Sequence, residues 1–162
     1  MRAIVLLMAL MSATTFAYAS RREIYPPPEQ AKADLAAALN EAAKTHKRII
    51  LDFGGNWCSD CIVLDMYMHN EQNLPILNAN FIMVHINVGR YDANLDLAKK
   101  YDTPLDKGVP ALAVLLSSGK LLYSQKLGQF ESMRRVEPDA VTKFLLQWKP
   151  VKPGCSMVMT TC

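Results

Sequence analysis

An apolar run, Ile49-Ile50-Leu51, passes through Asp52 and the pair Gly54-Gly55 into Trp57-Cys58-Ser59-Asp60-Cys61. No other stretch restricts the fold as much. The apolar run reads as a strand buried on both faces, the glycines break it, and two cysteines three apart suit the first turn of a helix. At such a helix start the N–H dipoles favour a thiolate on the first sulfur. A thiol pair in this setting can open and close a small disulfide ring, hold a metal, or staple the chain.

The chain has 162 residues, 51% of them hydrophobic, enough for one domain with its own core. Residues 1–19 carry Arg2, an apolar stretch over 3–11, and small or polar residues ending in Ala17-Tyr18-Ala19. That pattern reads as a secretory signal cleaved before Ser20. An uncleaved membrane anchor is the competing reading, but Ser12, Thr14 and Thr15 interrupt a core much shorter than the ~20 apolar residues a span needs. No second stretch of spanning length follows, so no stable membrane insertion is expected after cleavage. Lys and Arg total 18 against 15 Asp and Glu, and loss of Arg2 leaves +2, which is too weak to argue for a nucleic-acid partner. Export would place all four cysteines in an oxidising compartment, where even numbers tend to pair.

Residues 20–28, with Tyr25-Pro26-Pro27-Pro28, read as a stiff extended lead-in, a tether rather than a domain. A helix is expected over 29–46, with Leu35, Leu39, Ala42 and Ala43 on its apolar stripe. A strand over 48–53 and a helix over 58–69 follow, the latter with Leu64 and Met68 inward. The run FIMVHINV at 81–88 is a second strand, and a short helix lies around 94–101. Strand, helix, strand predicts a parallel crossover. PALAVLL and LLYSQK, joined by Ser117-Ser118-Gly119-Lys120, predict an antiparallel hairpin. A last helix follows Pro138, burying Val141, Phe144, Leu145 and Trp148, and Pro150 ends it. The fold class is therefore α/β, with a central mixed sheet of about four strands covered by helices on both faces.

On these residues the chain resembles the thioredoxin fold, specifically exported thioredoxin-like proteins with a helix before the first central strand. The resemblance spans residues 29–149 and leaves 150–162 as a Cys- and Met-containing tail. Its anchors are Asp52 six residues ahead of Cys58, the sequence Trp57-Cys58-Ser59-Asp60-Cys61, Val109-Pro110, Gly119 and Gly128. Cys58, at the helix start, is the expected attacking thiol, and Cys61, one turn deeper, the resolving one. Lowering a thiol pKa from ~8.5 to ~7 raises the thiolate fraction about fifteen-fold, and a Brønsted slope of ~0.5 removes about five-fold in nucleophilicity. The larger gains lie in Cys58 leaving readily and in Cys61 being held within reach. Residue chemistry leaves Asp52 open between a buried acid with a raised pKa and a partly exposed cap. The resemblance implies the buried acid, taking the proton of Cys61. It also implies a cis bond before Pro110, which would bring the chain at Val109 and Pro110 alongside Cys58, where an extended substrate segment could pair, with Trp57 shaping the same surface.

The departures from the family pattern carry expectations too. Ser59 and Asp60 stand where thioredoxins usually have Gly-Pro. A carboxylate there opposes the Cys58 thiolate while suiting the helix dipole, which tilts the pair toward a stable disulfide and a reducing role. Gly54-Gly55 replaces a bulky aromatic and a small residue, so a more mobile loop is expected. His85 stands where a lysine often neighbours the buried acid, which puts the usual charge coupling to Asp52 in doubt. Cys155 and Cys162 lie outside the pattern. A disulfide between them would close a loop worth about 2.5 kcal/mol by chain entropy. The sharper reading takes the Cys and Met of the tail as soft ligands for Cu(I). His46 and His69 fall near helix ends, and no spacing suggests zinc.

The resulting expectation is a thiol:disulfide oxidoreductase, exported to a bacterial periplasm, acting on disulfide-bearing exported proteins. The resemblance adds a membrane-embedded thiol electron donor as a partner. No nucleotide, flavin or haem motif is visible, so no cofactor beyond the protein's own sulfur is expected. A copper-carrying chaperone of the same fold, using Cys58 and Cys61 or the tail sulfurs, is the alternative.

Overall fold

The computed structural model describes residues 23–151. The expected signal at 1–19 and the tail pair Cys155 and Cys162 lie outside these residues. Among the described residues nine regular elements follow one another: α1 (Ala31–Thr45), β1 (Arg48–Gly54), α2 (Ser59–Met68), α3 (Leu74–Asn80), β2 (Phe81–Asn87), α4 (Leu95–Lys100), β3 (Ala111–Leu115), β4 (Leu121–Ser124) and α5 (Ala140–Trp148). Short 3-10 turns sit at Pro28–Gln30 and Met133–Arg135. No described helix is long and apolar enough to cross a membrane.

The four strands form one mixed sheet in the order β2-β1-β3-β4. β1 runs parallel to β2 and antiparallel to β3, and β3 pairs with β4 as the expected hairpin. Ile49, Ile50 and Leu51 are all fully buried because β1 lies inside the sheet with helices above and below. Alternation sorts its side chains. Ile49, Leu51 and Phe53 join a cluster with Leu35 and Ala38 of α1 and Leu97 of α4, while Ile50 packs with Leu64 of α2, Leu77 of α3 and Leu145 of α5.

The helix before β1 forms as composition predicts, but its buried stripe is Ala31, Leu35, Ala38 and Ala42, with Ala43 facing out and Leu39 only half covered. The chain leaves α1 through His46 in the left-handed region, whose N–H donates to the Ala42 carbonyl at 2.8 Å. The sequence patterns do not announce α3, which is only seven residues long and carries Pro75. The proline stands in the first turn, where its missing N–H costs nothing, and Asn73 just before it accepts from the Thr142 hydroxyl of α5 at 2.7 Å.

The lead-in differs most from expectation, because its described residues, 23–28, are docked on the domain instead of forming a free tether. Three asparagines stitch it down. Ile24 and Tyr25 donate their N–H groups to Asn56 Oδ1 at 2.9 and 3.0 Å, and Asn56 Nδ2 donates back to the Tyr25 carbonyl at 2.8 Å. Asn87 donates to the Pro26 carbonyl at 2.9 Å and Asn94 to that of Pro28 at 2.8 Å. A proline-rich segment has carbonyls without matching N–H groups, so side-chain amides are suited to hold it. Tyr25 is fully buried as a result.

Candidate active site

The strand β1 delivers Asp52 and ends at Gly54. The turn through Asn56 and Trp57 then starts α2 at Cys58, its N-cap. The Cys58 and Cys61 sulfurs are joined as a disulfide, with Cα atoms 5.2 Å apart. Cys61 N–H points at Cys58 Sγ from 3.1 Å, a donor that favours negative charge on that sulfur once the ring opens. Cys58 is 7% exposed and Cys61 not at all, so only the first sulfur meets an incoming molecule.

The peptide bond between Val109 and Pro110 is cis. It places the Val109 carbonyl 3.4 Å from Cys58 Sγ, within reach of a thiol donor in the dithiol form. Gln125, itself buried, braces this turn from the end of β4. Its Nε2 donates to the Pro110 carbonyl at 3.2 Å and its Oε1 accepts from Leu112 N–H at 3.3 Å. Trp57 directly precedes Cys58. Its indole N–H donates to the Gly89 carbonyl at 2.5 Å, Arg90 sits 5.0 Å above the ring, and Tyr91 packs at 5.6 Å. Gly55 permits this, since a Cβ there would fall 2.6 Å from the Trp57 indole nitrogen. From Tyr91 a shallow groove of about 590 Å³ leads past Leu105 to Gly108, just before Val109.

Asp52 is fully buried. Its Oδ2 accepts from the Tyr25 hydroxyl at 2.6 Å and lies 2.9 Å from His85 Nδ1, while its Oδ1 has no partner among the described residues. The doubt about charge coupling at His85 is thereby resolved in favour of contact, because the parallel register sets Asp52 directly beside His85. His85 Nε2 is 4.0 Å from Asp65 Oδ1 of α2, and Asp65 in turn meets His69 Nδ1 at 3.0 Å. Burial first, then the Asp52 carboxylate, pushes the Tyr25 phenol well above its ordinary range, so it stays a donor at neutral pH.

The loop at Gly54-Gly55 is not open space. A Cβ on Gly54 would fall 2.6 Å from Tyr25 Cζ and 2.8 Å from Cys61 Sγ. The aromatic ring missing at this point of the sequence is supplied by Tyr25 of the lead-in, which sequence reasoning passed over because its position before three prolines suggested only stiffness. Asp60 differs as well. Arg134 donates to it from Nε at 3.2 Å, from Nη2 at 3.1 Å and from its backbone N–H at 3.1 Å. Those hydrogen bonds hold the Asp60 carboxyl below its usual range and offset its field at Cys58. Ser59 is exposed beside it. Tyr25, Asn56, Gln125 and Arg134 carried no sequence signal, because their partners lie far along the chain.

Among the described residues no three His, Cys, Asp or Glu side chains are grouped to hold a metal ion. His46 caps α1 and His69 ends α2, each as its position near a helix end implied.

Residues 30–117 match the family model described as thioredoxin-like. The chain is similar to the disulphide isomerase from Xylella fastidiosa Temecula1, at 34% identity over 76% of this chain and 95% of that one, with a TM-score of 0.72. It also matches a thioredoxin from Thermus thermophilus at 19% identity, over 76% of this chain and 83% of that one, with a TM-score of 0.48. A further match, an oxidoreductase named DsbH, has 24% identity over 57% of this chain and 69% of that one, with a TM-score of 0.44. With a mixed sheet, a disulfide-forming Cys-x-x-Cys at the start of α2 and a family model covering more than half its length, the chain belongs to the thioredoxin-like family and is a thiol:disulfide oxidoreductase.

Proposed function

We propose that the protein is exported to a bacterial periplasm and there reduces or exchanges disulfides in other exported proteins through Cys58 and Cys61. The observation that carries this reading is the asymmetry of the pair: Cys58 keeps 7% exposure beside the Val109 carbonyl, and Cys61 is fully buried. Cys58 thiolate attacks a substrate disulfide and one substrate sulfur leaves. Cys61 then attacks Cys58 Sγ, the mixed disulfide breaks, the second substrate sulfur leaves, and the Cys61 proton passes to Asp52. The substrate gains two electrons and the protein's dithiol becomes the disulfide. Trp57, Val109 and Pro110 shape the surface around Cys58, and the groove from Tyr91 to Gly108 supports docking of an extended segment there. Repeated reduction in an oxidising compartment requires an electron donor, for which a membrane-embedded thiol protein is the fitting class.

The test is insulin reduction by the mature protein. Cys58→Ser should lose at least about a hundred-fold in rate, and Cys61→Ser should accumulate mixed disulfides at Cys58, visible on non-reducing gels. Cell fractionation of the full chain should recover a shortened form outside the cytoplasm. Retained turnover in Cys58→Ser, or a full-length cytoplasmic product, would overturn the respective half of the proposal.

A further inference from the structure

The lead-in has no role in the chemistry described so far, yet one of its side chains ends inside the site. Tyr25 is fully buried, donates to Asp52 Oδ2 at 2.6 Å, and packs edge-on against the His85 ring at 5.2 Å. Its phenol and Cys61 Sγ flank the same bare backbone position, Gly54. The Asn56 side chain, two residues before Cys58, fixes the Tyr25 backbone from both its N–H and its carbonyl. A buried hydroxyl needs one partner, and any nearby polar group would serve. This one is aimed at Asp52, the carboxylate given the proton-accepting role.

Building on the proton-accepting role given to Asp52, we infer that Tyr25 is a positioning residue of the resolving step, its hydroxyl holding Asp52 Oδ2 so that Oδ1 receives the Cys61 proton. In that step the Cys61 S–H bond breaks, its electron pair forms the bond to Cys58 Sγ, and the mixed disulfide releases substrate thiolate. The proton ends on Asp52. The phenol's hydrogen bond occupies Oδ2 and leaves Oδ1, which has no partner among the described residues, as the accepting oxygen. The other titratable groups around this carboxylate are His85 from β2, in contact with the same Oδ2, and Asp65 from α2, reached through His85. Glu23 of the lead-in and Asp34 and Glu41 of α1 line the hollow that His85 borders, and the β3 neighbour of Asp52 is the apolar Leu112.

Reaction of the reduced protein with 5,5′-dithiobis(2-nitrobenzoate) separates the two half-steps, because Cys58 attack releases one thionitrobenzoate and Cys61 resolution the other. In Tyr25→Phe the second release should slow about ten-fold at neutral pH, the loss of one charge-assisted hydrogen bond, and its rise with pH should move upward. The first release should stay within about two-fold. Asp52→Asn should slow the second release too, and the double variant should be no slower than Asp52→Asn alone. Should Tyr25→Phe fold poorly, site-specific 3,5-difluorotyrosine keeps the packing and changes only the acidity of the phenol, and the pH dependence of the second release should shift with it. If Asp52→Asn is slow but both Tyr25 variants keep the wild-type rate and pH dependence, the inference fails while Asp52 keeps its role. A Tyr25 effect that adds in full on top of Asp52→Asn also overturns it, since it would then act through packing. A normal second release in Asp52→Asn removes the Asp52 reading itself.

Discussion

At the scale of single residues, Arg134 is the group whose effect differs most from what its neighbourhood in the sequence suggests. Asp60 between the cysteines reads as an unopposed negative charge, and a reducing bias follows from it. Three hydrogen bonds from Arg134, across 74 positions of sequence, share that charge. Replacing Arg134 with Ala leaves Asp60 unbalanced two residues from Cys58. The thiolate is then disfavoured, the disulfide gains stability, and the potential should fall by roughly 10–30 mV in equilibrium with dithiothreitol. Adding Asp60→Asn should return it toward the starting value, and an unchanged potential in Arg134→Ala would show that the ion pair does not tune Cys58. The disulfide-forming pair Cys58 and Cys61 and the buried Asp52 were legible because each belongs to a short, ordered pattern. Their supports were not. Hydrogen-bond partners of Asp52, Asp60 and Pro110 come from positions that no local spacing links to them.

At the scale of elements, strands were read well and helix details less so. Continuous apolar runs at β1 and β3 fit strands buried on both faces, and the turn at Gly119, with φ of 82°, needs a residue free of a Cβ penalty. The short α3 escaped notice since Pro75 signals a break unless the first turn is recognised around it. The lead-in was misjudged for a related reason: proline excludes helix but says nothing about whether a segment docks. Packing and chemistry also separate by element. Leu145 of α5 is fully buried in the cluster with Ile50 and Leu64, away from the cysteine pair. Leu145→Ala should cost about 2–5 kcal/mol in urea unfolding. Its disulfide-reduction rate under native conditions should remain near wild type, which distinguishes α5 as a support from α2 as the site.

For the whole molecule, the ion pair at Asp60 joins the turn at Met133–Arg135 to the start of α2, so it contributes to global stability as well as to the site. The folded Asp60 carboxyl ionises at lower pH than the unfolded one, near 3.9. Its contribution is therefore fully present above that unfolded value and is lost as pH falls through the folded one. Acid unfolding followed by circular dichroism should show wild type more stable than Arg134→Ala at neutral pH, with the two curves converging at strongly acid pH. High salt should narrow the gap as well, because the Arg134 side chain is 68% exposed.

The placement of Trp57 has one more consequence. The chain holds two tryptophans. Trp148 packs on Tyr123 in the cluster built around α5, while Trp57 directly precedes Cys58 and is pinned by Gly89, Arg90 and Tyr91. A disulfide is an efficient quencher of indole emission and a thiol a weaker one. Opening of the ring should therefore raise the emission of Trp57, with Trp148 as a second emitter in a different environment. The protein carries its own optical gauge of its sulfur chemistry, readable without any dye.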